Sequence, residues 1–343
     1  MRLRKKDFPK KIGIFHFAGL GDWLLLAPAL KAIRNRFPGA KIYVYGYRQL
    51  DYFLKNSKLV DGYSLYPDYS VFKKNFRYDD KIFMSTFSGF FRITHCRQHV
   101  VALTGKIFNV DCSRISPELP LTYRDEKFGR EFAQRCKDRL ITLSAFTSQR
   151  MKEWDKKRWE KVIRHYRDYV FVQIGHKTGA NNRIQGTVDL LEKTTLPQAI
   201  SLVKYSRLFV GSEGLFNHIA QVCGTPKIVL WGAGSPLNFG YTHNTLNIYK
   251  KISCSPCYLQ PYQKCRRQSG FFKNTAKCMS AISVAEVIDA IKTMLESPFD
   301  REMTFSDRFA ISRNLCAACN HKEKCALDFF SVRFSDLFVF QAI

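Results

Sequence analysis

Apolar residues in this chain come in short continuous blocks separated by polar or Gly-rich breaks, rather than in strict alternation. Lys11-Ile12-Gly13-Ile14-Phe15-His16-Phe17 has the pattern of a strand buried on both faces. A Gly-rich turn comes next, and then a longer apolar stretch through Ala27, Leu30 and Ile33 predicts a helix that stops near Pro38-Gly39. Lys41-Ile42-Tyr43-Val44-Tyr45 predicts a second strand. Strand, helix and strand in that order form a βαβ unit, whose strands pair in parallel through a right-handed crossover.

The pattern restarts at Leu140-Ile141-Thr142-Leu143. Helices are predicted around Trp159 to Tyr166 and Leu196 to Lys204, with a strand from Val170 to Ile174 between them. Strands Leu208-Phe209-Val210 and Lys227 to Trp231 flank a helix centred on His218 to Val222, and a last helix runs from Val284 to Leu295. The fold class read from this is α/β, with two doubly wound domains. The charged run Arg124, Asp125, Glu126, Lys127 and Arg130 predicts an exposed connection between them. The expected division is residues 1–136, residues 137–297 and a C-terminal extension, residues 298–343.

A length of 343 residues suits two domains, and 45% hydrophobic with 24% charged residues is the composition of a folded, water-exposed protein. Charge changes the picture more. Lys+Arg number 55 against 29 Asp+Glu, a net charge of +26 that favours anionic partners. Nucleic acid is not an expected partner, because the basic residues are spread along the chain and no recognition module is readable. Eleven cysteines are an odd count and too few for a disulfide scaffold, which points to a reducing, cytoplasmic setting. Arg2, Arg4, Lys5 and Lys6 before an apolar run imitate a secretory leader, but His16, Asp22 and the glycines Gly13, Gly19 and Gly21 interrupt that run.

Three strand ends carry candidate chemistry. Gly19-Leu20-Gly21-Asp22 comes after the first strand and opens a helix, so Gly19 and Gly21 let backbone approach a ligand while the helix start offers N–H groups to an anion. The dinucleotide fingerprint would need a third glycine at Leu24, and an acid directly after the second glycine repels a pyrophosphate. Asp22 therefore reads as a base or hydroxyl binder, or as an N-cap accepting helix N–H bonds. Ser148 to Trp154 is a loop where Arg150 or Lys152 would meet a phosphate, or where both are simply solvated. Gly211 to Ala220, with Trp231-Gly232-Ala233-Gly234-Ser235-Pro236, supplies two small-residue turns able to present N–H groups to a diphosphate. His218 lies one turn inside the helix, pointing at the same place or serving as a structural histidine.

The run Gly19 to Leu30 resembles the N-terminal signature of the bacterial heptosyltransferases, glycosyltransferase family 9. Similar segments occur in order: Lys152-Glu153-Trp154 with Arg158-Trp159, Lys193-Thr194-Thr195-Leu196, Gly211 to Pro226, and Gly232 to Pro236. The resemblance implies a GT-B fold, two Rossmann-like domains facing a central cleft, and inverting sugar transfer from a nucleotide donor with no cofactor required. It implies Asp22 as general base, Lys152 on the donor phosphate, and Thr195, Glu213, Gly214, His218, Gly234 and Ser235 around the donor. The implied donor is ADP-heptose and the implied acceptor an anionic glycan or glycolipid such as a lipopolysaccharide core. Glu213 stands where the family usually has aspartate, Leu215 replaces a common glycine, and His16 stands where a basic residue is frequent. Those departures leave donor identity open and keep a catalytically degenerate sugar-nucleotide binder as the alternative.

The cysteines cluster late, as Cys254, Cys257, Cys265 and Cys278, and as Cys316, Cys319 and Cys325 with His321 between the last two. Each set suits a structural zinc or iron, or a group of reduced thiols. The tail from Phe329 to Phe338 has apolar residues at helical spacing, predicting a helix packed back on the first domain, with basic surface suited to peripheral contact with the inner membrane.

Overall fold

The protein is described by a computed structural model covering residues 9–16, 18–65, 81–85, 99–107, 109–112, 115–177, 182–258, 265 and 276–296. The second cysteine set with His321 and the aromatic tail lie outside these residues. The chain forms two compact units. Of the described residues, one unit holds those up to Gly19 and Leu25–Ile115; the other holds Leu20–Leu24 and those from Ser116 to Glu296.

The first unit contains β1 (Lys11–His16), most of α1 (Leu20–Arg36), β2 (Lys41–Gly46), α2 (Asp51–Lys55), β3 (Gly62–Ser64), β4 (Lys81–Ser85) and α3 (Val100–Ile107). Its strands are all parallel, in the order β3-β2-β1-β4. The continuous apolar run in β1 has a direct cause: Ile12, Ile14 and Phe15 are fully buried in a central strand. Arg34, near the end of α1, pairs with Asp61 and donates to the carbonyls of Ala40 and Leu59. Asp61 also accepts from the Ile42 N–H at 2.7 Å, so one carboxylate ties helix to sheet. Burial opposes ionisation of this carboxyl, but the Ile42 N–H and the Arg34 guanidinium outweigh it and hold Asp61 below its usual range.

In the second unit, α4 (Tyr123–Arg135) leads into β5 (Leu140–Ser144), α5 (Lys156–His165), β6 (Val170–Gln173), β7 (Val188–Asp189), α6 (Leu196–Tyr205) and β8 (Leu208–Ser212). Then come α7 (Leu215–Cys223), β9 (Lys227–Trp231), α8 (Pro236–Phe239), β10 (Thr245–Tyr249), α9 (Lys277–Ser280) and α10 (Val284–Glu296). The parallel sheet runs β10-β9-β8-β5-β6-β7. Numbered from its own first strand this is 3-2-1-4-5-6 read from the β7 edge, the Rossmann order, with the direction of winding reversing between β5 and β8. The core is built from Ile141, Leu143, Phe171, Val210 and Leu230 of the strands with Trp159 and Val162 of α5 and Val287 and Ile291 of α10. No helix among the described residues is long and apolar enough to cross a membrane.

The two parallel sheets agree with the α/β, GT-B expectation. The division between them differs from the expected one: residues 116–136 group with the second unit rather than the first. The charged run is not an open connection but part of α4, which packs on α6, and Glu126 and Arg130 of that run face α6. Glu126 accepts from Lys204 Nζ and from the Tyr205 hydroxyl, each at 2.5 Å. Gly129 allows the close approach, since a Cβ there would fall 2.6 Å from the Ser201 carbonyl oxygen.

Candidate active site

Open α/β sheets bind ligands beyond the carboxyl ends of their strands, at the point where winding reverses. In the second sheet that point lies between the ends of β5 and β8. Gly211 makes the approach of the two strands possible, because a Cβ there would sit 2.5 Å from the Ser144 carbonyl oxygen.

The loop after β5 is braced from within. The Thr147 hydroxyl donates to the Gln149 carbonyl at 2.9 Å and accepts from the Gln149 N–H at 3.0 Å. The Thr147 N–H donates to Glu153 Oε1 at 3.1 Å, closing the loop on itself. Arg150–Lys152 form one 3-10 turn, and Trp154 and Arg158 anchor the entry into α5 by donating to the Ile282 carbonyl. This bracing brings Lys152 Nζ to 2.6 Å from Glu213 Oε2. The side chains of Lys152 and Glu213 are 17% and 9% exposed, so the pair is largely shielded from water. The approach is an ionic contact off the hydrogen-bonding direction, and Glu213 Oε2 is buried with no hydrogen-bond partner.

Glu213 comes directly after β8, and its N–H donates to the Leu230 carbonyl of β9 at 3.1 Å. The next residue, Gly214, is the N-cap of α7 and supplies no side-chain cap, so the N–H groups of the first turn are left for another acceptor. Gly234, in the turn after β9, borders the same carboxylate: a Cβ there would come 3.2 Å from Glu213 Oε2. Within α7, Asn217 is fully buried with neither end of its amide hydrogen-bonded. His218 is buried beside it, with Nδ1 2.8 Å from the Tyr241 hydroxyl.

The start of α1 groups with this unit. Gly21 packs on the first turn of α7, where a Cβ would meet His218 Cδ2 at 3.1 Å and Leu215 Cα at 3.4 Å. Asp22 is the third residue of α1 and half-buried, inside the first turn rather than at the cap. A carboxylate there is favoured by the helix dipole. His16, at the end of β1, is fully buried with Nε2 3.5 Å from the Gly19 carbonyl. Burial pushes its pKa down to about 4, so this position carries no positive charge at neutral pH.

Two expected donor contacts have structural duties. Thr195 caps α6 in a reciprocal box with Gln198: its hydroxyl accepts from the Gln198 N–H at 3.4 Å, and Gln198 Oε1 accepts from its N–H at 2.9 Å. Ser235 caps α8, accepting from the Leu237 N–H at 3.2 Å. Tyr241, which bonds His218, and Asn247 and Lys227, which hold Tyr241, carried no signal in the sequence, since only the fold of β9, β10 and the loop between them brings them together.

Cys254, Cys257, Cys265 and Cys278 line one small cavity, together with Met151, Ala233 and Ile252. Burial pushes the Cys278 thiol up to about 11, and the other three cysteines add in the same direction. Among the described residues, no three His, Cys, Asp or Glu side chains are gathered closely enough to hold a metal ion. The cysteine loop rests on the Gly-rich turn, with the N–H groups of Cys257 and Tyr258 donating to the Ala233 carbonyl.

Comparison with known proteins bears on the fold and the family. No protein of curated function matches the sequence. Among solved structures, a family 9 glycosyl transferase from Veillonella parvula DSM 2008 superposes with a TM-score of 0.63 at 14% identity, covering 84% of this chain and 98% of that one. The E. coli ADP-heptose lps heptosyltransferase II gives 0.55 at 14% identity, over 83% and 98%. The iron-containing dodecameric glycosyltransferase TibC of enterotoxigenic E. coli H10407, also solved with ADP-D-beta-D-heptose, gives 0.62 at 15% identity, over 84% and 76%. These likenesses show the fold. The model of glycosyltransferase family 9 (heptosyltransferase) matches residues 91–265, just over half of the 343 residues, and the chain therefore belongs to that family.

Proposed function

We propose that this glycosyltransferase moves heptose from ADP-heptose, with inversion, to a hydroxyl of a lipopolysaccharide-core or related anionic glycan. The observation that carries this is the Lys152–Glu213 contact of 2.6 Å, set where the second sheet reverses its winding and beside the uncapped start of α7. The ammonium has donors left for the diphosphate once Glu213 is engaged, and the first-turn N–H groups of α7 add to it. Glu213 Oε2, which lacks a hydrogen-bond partner, is the natural acceptor for a donor hydroxyl. His218, Gly214, Gly234 and Ser235 complete the wall around the donor.

Each placement has a part in the chemistry. Asp22 takes the proton of the acceptor hydroxyl as its oxygen attacks the anomeric carbon, the bond to the nucleoside diphosphate breaks, and Lys152 with α7 stabilises the charge that gathers on the leaving group. The net charge of +26 suits an anionic acceptor and a cytoplasmic enzyme working against the inner membrane surface. Cys254, Cys257, Cys265 and Cys278 line one cavity and have the chemistry of zinc or iron ligands, but as placed they are not gathered closely enough to hold an ion, so a metal would require the cysteine loop to draw in toward the Gly-rich turn. A metal there would supply a cross-link, and no step of the transfer would run through it.

Calorimetry with ADP, other nucleoside diphosphates and ADP-heptose tests the donor assignment. The expected result is selective binding of the adenine compounds, weakened about ten- to a hundredfold in Lys152→Ala, as loss of a charge-assisted contact implies. That variant also strands Glu213 as an unpaired buried carboxylate facing the diphosphate, so adding Glu213→Gln should recover part of the loss. Binding of none of these compounds, or equal affinity in wild type and Lys152→Ala, overturns the assignment.

A further inference from the structure

The groups behind His218 form a connected chain. The Tyr241 hydroxyl lies 2.8 Å from His218 Nδ1, with the two rings edge to face at 5.7 Å. Tyr241 is itself held from behind: its carbonyl accepts from Asn247 Nδ2 at 2.7 Å, and Asn247 Oδ1 accepts from Trp231 Nε1 at 2.8 Å. Over the face of the Tyr241 ring, 4.9 Å from its centre, stands the ammonium of Lys227, a lysine only 1% exposed at the first position of β9. Lys227 in turn donates to Gln221 Oε1, one turn beyond His218 on α7.

This surround bears on which nitrogen of His218 carries the proton. A neutral imidazole has one donor and one acceptor nitrogen, and the partner of one decides the role of the other. A buried cation against the ring face favours negative charge on the phenol oxygen, which strengthens the O–H as a donor and weakens the oxygen as an acceptor. We propose that Tyr241 is a positioning residue that donates its hydroxyl proton to Nδ1, fixing His218 as the tautomer protonated on Nε2. Cδ2, the ring carbon bonded to Nε2, is the atom that lies against Gly21 at the start of α1. His218 Nε2 is then an N–H donor, not a lone pair, and the ligand charge it suits is negative, as on the donor diphosphate. The tautomer assignment stands on the geometry alone; only its consequence for the nucleotide rests on the donor reading above.

The test has two arms. In protein carrying ¹⁵N-histidine, two-bond ¹⁵N–¹H spectra at neutral pH, with His218 identified by its absence in His218→Gln, should show Nε2 protonated and Nδ1 as a hydrogen-bonded acceptor. Tyr241→Phe should move the Nδ1 resonance toward that of a free acceptor, and Lys227→Met should move it part of the way. A proton on Nδ1 in the wild type, or a resonance unmoved in Tyr241→Phe, overturns the proposal. In the second arm, ADP affinity measured by calorimetry should fall about five- to tenfold in Tyr241→Phe, the value of one lost hydrogen bond, and should not fall further when that change is added to His218→Gln. A drop of equal size in both backgrounds marks a general packing effect and overturns the proposal. If the spectra respond as expected while ADP affinity does not change, the positioning role holds and the donor reading of His218 fails.

Discussion

Asp22 owes its place to two neighbours. Gly21 lets the first turn of α1 lie against α7, and the third position of the helix puts the carboxylate at the positive end of the helix dipole. If Asp22 is the base, Asp22→Asn should bind donor as tightly as the wild type while turning over at least about a hundredfold more slowly, which paired calorimetry and initial-rate measurements would reveal. Full activity in Asp22→Asn would remove it from that role. At this scale the candidate site is marked in the sequence. Asp22, Lys152 and Glu213 each lie just beyond a strand, and strand ends are where the sequence advertises a site, through small residues and a charge that break an apolar run. Tyr241 was not legible, because its importance comes from a contact with His218 across 23 residues and nothing local marks it.

The elements most easily read were those with a strong apolar core of their own, such as β5, β8 and β9, whose residues are all buried. Strands β7, of two residues, and β3, of three, are too short to show a period. Helix α4 was missed for another reason. Its many charges suggest a linker, yet Thr122 and Asp125 form a capping box, with the Thr122 hydroxyl accepting from the Asp125 N–H at 3.2 Å and Asp125 Oδ2 accepting from the Thr122 N–H at 2.9 Å. The absence of a side chain at Gly129 is what seats α4 on α6. Gly129→Ala would gain helix propensity but force a Cβ into the Ser201 backbone, and the overpacking should dominate, lowering stability by about 1–3 kcal/mol in denaturant unfolding. A variant as stable as the wild type would mean that α4 and α6 can separate without loss. The same interface makes an acid-sensitive contribution. Lys204 and Tyr205 hold the Glu126 carboxyl below its ordinary value of 4.5, so the pair stabilises the fold above that pH and loses its effect as pH falls below it.

For the whole molecule, the sequence carried the fold class, because each βαβ unit announces itself, but not the position of the division between units. That division depends on where α4 packs, which is a long-range choice. The cysteine loop raises a question at the same scale. If its four thiols hold a metal, the purified protein should contain about one equivalent of zinc or iron by elemental analysis, and Cys257→Ser with Cys278→Ser should lose it and unfold at lower temperature. Metal-free protein with an unchanged melting temperature in that double variant would leave the cysteines as reduced packing residues. The strand order of the second sheet has a further consequence, in time rather than space. As the chain is made, β5 can acquire β6 and β7 on one side soon after it appears, but its other side faces β8. From Ser144 to Leu208 that edge has no partner on the growing chain, an interval on the order of ten seconds at ordinary rates of synthesis. A central strand that ends up buried at every position is thus an open edge during its birth, a template for unwanted pairing until β8 arrives.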